Sequence, residues 1–297
     1  MAKAGKLSRP FRFDKPGHFR MKDVDPRDTS GIRSEEEAAE ALRRGVARLA
    51  DMQDKMYAQD SWALLLIFQA MDAAGKDSTI KHVMSGVNPV GCQIFSFKAP
   101  SSEELDHDFL WRTTRCLPER GRIGIFNRSY YEEVLVVRVH PEFLGKQHLP
   151  ENLVTKDLWK DRFEDINNFE RYITRNGIAV RKFYLRVSKD EQRERFLKRL
   201  DETDKNWKFA VGDVHERARW DDYMDAYESA IRKTSTEWAP WYVVPADHKW
   251  FTRIVVADAI VDAMEEMNLA YPKHDKSKKK DLAEARLLLE EEGKQGR

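Results

Sequence analysis

The run Trp-Ala-Leu-Leu-Leu-Ile-Phe, from Trp62 to Phe68, constrains the chain more than any other stretch. Even extended to Met71 it is too short for a membrane helix, which takes about twenty apolar residues. It also lacks the alternation of a strand with one wet face. A strand buried on both faces accounts for it, and such strands belong to parallel sheets covered by helices on each side.

Directly after the run comes Gln69-Ala70-Met71-Asp72-Ala73-Ala74-Gly75-Lys76-Asp77-Ser78-Thr79. Strand, small-residue loop, Gly-Lys and helix is the context that a Walker A loop requires. Backbone N–H groups along Ala73, Ala74, Gly75, Lys76, Asp77 and Ser78 can wrap a phosphate. The helix N-terminus adds its dipole, and Lys76 supplies a mobile positive charge. The loop departs from G-x-x-x-x-G-K-[ST] at Ala70, where the first glycine would be, and at Asp77, where a Ser or Thr would hold Mg²⁺. It also places Asp72 inside the cradle. A bare carboxylate there repels phosphate, so Asp72 reads as a ligand of Mg²⁺, a hard cation that bridges carboxylate to phosphate. Asp77 is either a second ligand or a first-turn helix cap.

Further strands are expected over Cys92–Phe97, Arg122–Phe126, Val180–Val187 and Trp241–Val244, with helical stretches between them. The helices are marked by Trp159, Phe163, Ile166 and Ile173, by Trp220, Tyr223, Tyr227 and Ile231, and by Phe251, Ile254, Val255 and Val261. That alternation predicts a central, mainly parallel five-stranded sheet in an α/β/α sandwich. Residues 1–33 lack periodicity and read as an extended arm. Residues 34–272 form the domain, opened by a capping box at Ser34 and Glu37. Residues 273–297 form a charged tail, either solvated or packing Leu287–Leu289 on a partner subunit.

The 297 residues hold 52 Lys and Arg against 51 Asp and Glu, so an anion site must come from local placement of charge. Neither a nucleic-acid binder nor a membrane protein is expected. The two cysteines fit no metal pattern or disulfide framework. The basic N-terminus lacks an apolar core, so a cytoplasmic location is the expectation. The histidines, His82, His107 and His140 among them, show no zinc spacing.

The loop around Asp72 and Lys76 resembles the A/G-x-D-x-x-G-K-D loop of the polyphosphate kinase 2 family. Ile125-Phe126-Asn127-Arg128-Ser129-Tyr130-Tyr131-Glu132-Glu133-Val134-Leu135 is similar to its Walker B block, in the class III form with Asn for Asp. Lys205-Asn206-Trp207-Lys208-Phe209 resembles its lid, with Asn206 where an arginine is expected. Ser235 to Ala246 resembles its last strand and the approach to it. The resemblance, over roughly residues 20 to 272, implies a P-loop kinase core with a helical lid near 200–220, Mg²⁺, and homo-oligomers. It implies transfer of a phosphoryl group from polyphosphate to ADP and AMP; whether other purine nucleotides also serve is left open by the sequence. By position it places Asp72 and Asn127 at the metal, Lys76 on the moving phosphate and Arg128 on the nucleotide phosphates. Glu132 falls on the acidic residue linked to use of monophosphates.

The residues themselves agree with phosphoryl transfer, which needs in-line positioning and charge neutralisation more than covalent chemistry. Arg128 has a planar fork suited to phosphate, or else forms a structural ion pair. Glu132 is otherwise a solvated helix residue. The stretch Lys189–Arg219 holds nine cations and eight carboxylates. It is either a salt-bridged surface or a lid whose Lys205, Lys208, Arg217 and Arg219 face the donor. Two other functions share the loop: an ATP-dependent nucleoside monophosphate kinase and a nucleotide sensor without turnover. The Asp72–Asp77 pattern speaks against the first.

Overall fold

The computed structural model describes residues 5–202, 206, 211–273 and 275–295. The strands are β1 (Arg12–Phe13), β2 (Ala63–Gln69), β3 (Cys92–Ser96), β4 (Ile123–Asn127), β5 (Ile178–Arg186) and β6 (Trp241–Pro245). They form one sheet in the order β1-β6-β5-β2-β4-β3. All neighbours are parallel except β1 and β6, where Arg12 lies opposite Tyr242. The apolar run is the central strand, and each residue of β2 is buried. The five expected strands are present, and the sheet gains a sixth at its edge.

That sixth strand comes from the N-terminal arm. Phe11, Phe19 and Val24 are buried there, Phe11 meets Phe251 edge-on, and Phe13 meets Phe19. Asp258 accepts hydrogen bonds from the N–H groups of Gly5, Leu7 and Ser8, which fastens the arm at its start.

The helices are α1 (Glu35–Gln59), α2 (Lys76–Val83), α3 (Ser102–Leu105), α4 (Trp111–Thr114), α5 (Val136–Val139) and α6 (Leu158–Arg175). They continue with α7 (Lys189–Asp201), α8 (Val211–Ala218), α9 (Trp220–Thr234), α10 (Lys249–Glu266) and α11 (Lys276–Gln295). Ser34 caps α1 by accepting from the Glu37 N–H, while Glu37 reaches back to the N–H of Arg33 rather than that of Ser34. Successive strand residues point to opposite faces, and β5 shows which helices lie on each. Arg181 pairs with Glu266 of α10. Lys182 pairs with Glu170 of α6 and donates to the Thr234 carbonyl of α9. Helices thus cover both faces.

In chain order the path runs from β2 out to β3, back to β4 beside β2, and then to β5 on the other side of β2. The order reverses at β2. A crevice opens at such switch points beyond the carboxyl ends of the strands, where ligands of open α/β sheets bind. Gln69 and Asn127 end the two strands that border it. No described helix is long and apolar enough to cross a membrane.

Candidate active site

The loop from Ala70 to Gly75 leaves β2 and enters α2 at Lys76. Ala73 (φ 60°) and Gly75 (φ 105°) adopt the left-handed conformation. Alternating backbone handedness of this kind makes N–H groups converge into an anion-binding nest. For Ala73 the conformation carries a steric cost that glycine escapes, so the surroundings must hold it.

Arg195 of α7 does much of that holding. Its Nη1 donates to the carbonyls of Ala73 (3.0 Å) and Ala74 (2.8 Å). Its Nη2 donates to those of Ala246 (2.6 Å) and Asp247 (2.9 Å), and Nε meets Glu191 at 2.7 Å. One buried guanidinium therefore ties the loop after β2 to the loop after β6. One turn back, Gln192 Nε2 donates to the Asp72 carbonyl at 2.9 Å. The loop carbonyls of residues 72 to 74 are thus turned toward α7, and the Ala74 N–H is held inside the loop by the Met71 carbonyl at 3.2 Å. The N–H groups of the first turn of α2 have no intrahelical acceptor and complete the cradle. Ser78 lies behind it, its Oγ accepting from Arg253 Nη2 at 3.0 Å.

Lys76 curls over the loop and donates to the Ala70 carbonyl at 3.0 Å. Burial pushes its pKa down and Asp72 pushes it back up, with Arg128 adding to the fall. Arg128 comes directly after β4 in a left-handed conformation (φ 64°), its N–H bonded to the Phe68 carbonyl. That bond crosses from β4 to the end of β2 and aims the guanidinium at the loop, where Nη2 reaches Asp72 Oδ1 at 3.2 Å. Asn127 donates to Asp77 Oδ1 at 2.8 Å. Burial raises the pKa of Glu132, against the pull of Arg128 and then Lys76. Asp72, Lys76, Arg128 and Glu132 thus gather at one point, as do Asn127 and Asp77.

The donor chemistry suits Mg²⁺. No cluster of three His, Cys, Asp or Glu stands ready for a metal among the described residues. Mg²⁺ is usually held by one or two carboxylates together with water and substrate phosphate. Asp72, and Asp77 with the Asn127 amide against it, offer hard oxygen donors in that number.

A pocket of about 240 Å³ opens next to Arg128, Ser129 and Glu132. Phe97, Pro100, Phe109 and Phe143 give it apolar walls. Its floor is braced by the buried Arg162, which donates to the Glu133 carbonyl and carboxylate. Glu133 also accepts from Gln147, so of the two adjacent glutamates only Glu132 is turned to the cradle.

Beneath the Walker B turn lies a second network. Lys182 and Glu170 are fully buried and meet at 2.6 Å. Glu170 also accepts from the hydroxyls of Tyr130 (2.9 Å) and Tyr131 (2.8 Å), which pin the turn between Arg128 and Glu132. Neither this network nor the Gln192–Arg195 clamp is expected from the sequence, where Arg195 is one charge among many.

Of the lid candidates, Lys205 and Lys208 lie outside the described residues, as does Trp207. Arg217 donates to the Lys189 carbonyl and to Gln192 Oε1 and lies against Trp220. Arg219 donates to the Val139 carbonyl at 3.3 Å. Arg217 is thus one residue removed from the cradle, through Gln192.

A family model described as Polyphosphate kinase 2 (PPK2) matches residues 32–272. The chain is 55% identical to an ADP-polyphosphate phosphotransferase of Rhodopseudomonas palustris, over 86% of this chain and 89% of that protein. It is 43% identical to an AMP/ADP-polyphosphate phosphotransferase of Meiothermus ruber, over 92% of this chain and 99% of that protein. The crystal structure of polyphosphate kinase 2 from Arthrobacter aurescens superposes with a TM-score of 0.88 at 40% identity. That match covers 98% of this chain and 99% of the other.

Proposed function

The chain belongs to the polyphosphate kinase 2 family, and we propose from that premise how its own residues carry a phosphoryl group from polyphosphate to ADP and AMP. The enzyme is a polyphosphate:nucleotide phosphotransferase. The observation that carries the assignment of roles is the meeting of Asp72, Lys76 and Arg128 at the mouth of a cradle whose carbonyls are turned away.

The cradle and Lys76 hold the phosphate being moved. Lys76 rests on the Ala70 carbonyl, a neutral acceptor that the ammonium exchanges for a charged phosphate oxygen. Arg128 leaves Asp72 and takes nucleotide phosphate oxygens in its fork, where a planar guanidinium binds two at once. Asp72, with Asn127 and Asp77, would hold Mg²⁺, which would add to the neutralisation of phosphate charge. The pocket walled by Phe97, Phe109 and Phe143 takes the nucleoside. Glu132, between that pocket and Lys76, favours acceptance of the monophosphate. Lys205, Lys208, Arg217 and Arg219 guide the donor chain. The protein works in the cytoplasm as a homo-oligomer.

The test is incubation with AMP or ADP, Mg²⁺ and polyphosphate, with no other nucleotide added. ADP and then ATP are expected from AMP, and ATP from ADP. Turnover only when ATP is supplied as donor would point to a nucleoside monophosphate kinase. Binding of nucleotide without turnover would overturn the transfer reading altogether.

A further inference from the structure

Every described side chain from 277 to 292 in α11 is exposed. Leu282, Leu288 and Leu289 are 47%, 61% and 68% exposed. At the helical repeat these three and Ala285 fall within one stripe about a third of the way around, while Leu287 lies off it. An apolar stripe on a helix is ordinarily buried against a partner, and most helical stability in proteins comes from packing such a face.

The charges are arranged against the helix itself. Lys278, Lys279 and Lys280 occupy the N-terminal half, and Glu290, Glu291 and Glu292 the C-terminal half. The macrodipole favours the reverse order, so this pattern does not serve the isolated helix. Glu290 meets Arg286 at 2.8 Å within the helix, the one local pairing of that acidic end among the described ion pairs.

The same order is self-complementary when a second copy runs antiparallel. A two-fold axis through Ala285 brings Lys278, Lys279 and Lys280 level with Glu292, Glu291 and Glu290 of the second copy; at the helical repeat Lys278 and Glu292 lie in line with the apolar stripe, and the other two pairs lie around the sides of the helices. It sets Arg286 against Glu284 and Leu282 against Leu288. A parallel pair would oppose like charges at both ends. We propose that α11 is an interaction surface whose partner is the α11 of a second copy of this chain, paired antiparallel about Ala285. The proposal rests on the homo-oligomer reading and locates one interface of it. Such a contact is isologous, each patch meeting itself, as in two-fold dimers.

Sedimentation velocity on the full chain tests it with two charge-reversed variants. One carries Lys278→Glu, Lys279→Glu and Lys280→Glu; the other carries Glu290→Lys, Glu291→Lys and Glu292→Lys. Each variant alone opposes like charges at both ends, and its mass is expected to fall to half that of the wild type or less. An equal mixture restores opposite charges at both ends and is expected to recover the wild-type mass. High salt should weaken the wild-type association, since the ends are exposed ion pairs. Circular dichroism establishes that both variants are folded. A wild type that is monomeric throughout overturns this pairing together with the homo-oligomer reading. An oligomeric wild type with both variants unchanged, or a mixture that fails to recover, overturns the pairing alone.

Discussion

Asp72 Oδ1 and Arg128 Nη2 lie 3.2 Å apart although the residues are 56 positions apart in sequence. One stands in the loop after β2, the other just past β4, and the sheet register brings them together. Both side chains keep about two fifths of their surface exposed. An ion pair with that much solvent around it is weak, so it can be exchanged. On the roles proposed for them, a phosphate would compete for Arg128 and a divalent cation for Asp72.

Removal of the charge on Asp72 separates a metal ligand from a residue that only shapes the loop. Asp72→Asn keeps the size of the side chain and loses most of its attraction for Mg²⁺. Initial rates should collapse and recover in part as Mg²⁺ is raised. Superimposable Mg²⁺ titrations of the two proteins would remove Asp72 from the metal site.

Arg195→Met leaves four buried or half-buried carbonyls without their donor. Leaving such groups unsatisfied costs on the order of 1–3 kcal/mol each at most, with part recovered by relaxation. A loss of about 3 kcal/mol in chemical denaturation is expected. Because the cradle depends on the same bonds, the KM for polyphosphate should rise in whatever fraction remains folded. A variant with wild-type stability and wild-type KM contradicts the clamp.

Glu132 has its pKa raised, first by burial. As pH falls through that raised value the carboxylate is protonated and its charge is lost. The rate with AMP should therefore decline on the acid side at a higher pH than an ordinary glutamate sets, and Glu132→Gln should remove that limb. Transfer to ADP should be less affected than transfer to AMP. Equal loss on both acceptors would assign Glu132 to the fold of the turn instead.

The central strand and the cradle are legible in the sequence because both are local. Seven apolar residues in a row, with Gly-Lys close behind them, fix strand, loop and helix within about twenty positions. The edge strand is hidden, since charged and proline residues break any period around Phe11, Phe13 and Phe19. Their aromatic side chains are the one signal that the arm packs. Gln192 and Arg195 are hidden for another reason. They sit one turn apart on a helix rich in both charges, and only the fold places that face against the cradle. Lys182 leaves a clearer trace: with Arg181 it interrupts an otherwise apolar strand, and a lysine there must find a buried partner such as Glu170.

Polyphosphate as phosphoryl donor, with Lys76 acting on the group in flight, is tested most directly by phosphorus-31 NMR. With enzyme, ADP, Mg²⁺ and polyphosphate in one tube, the spectra follow donor and product together. The γ-phosphorus signal of ATP should grow as internal polyphosphate signal is consumed. Lys76→Ala should slow that conversion by roughly a hundredfold or more, the usual cost of losing one charge contact in the transition state, with the fold unchanged. A wild type that makes no ATP from polyphosphate would contradict the donor assignment. A Lys76→Ala variant that keeps more than about a tenth of the rate would contradict the role of the lysine.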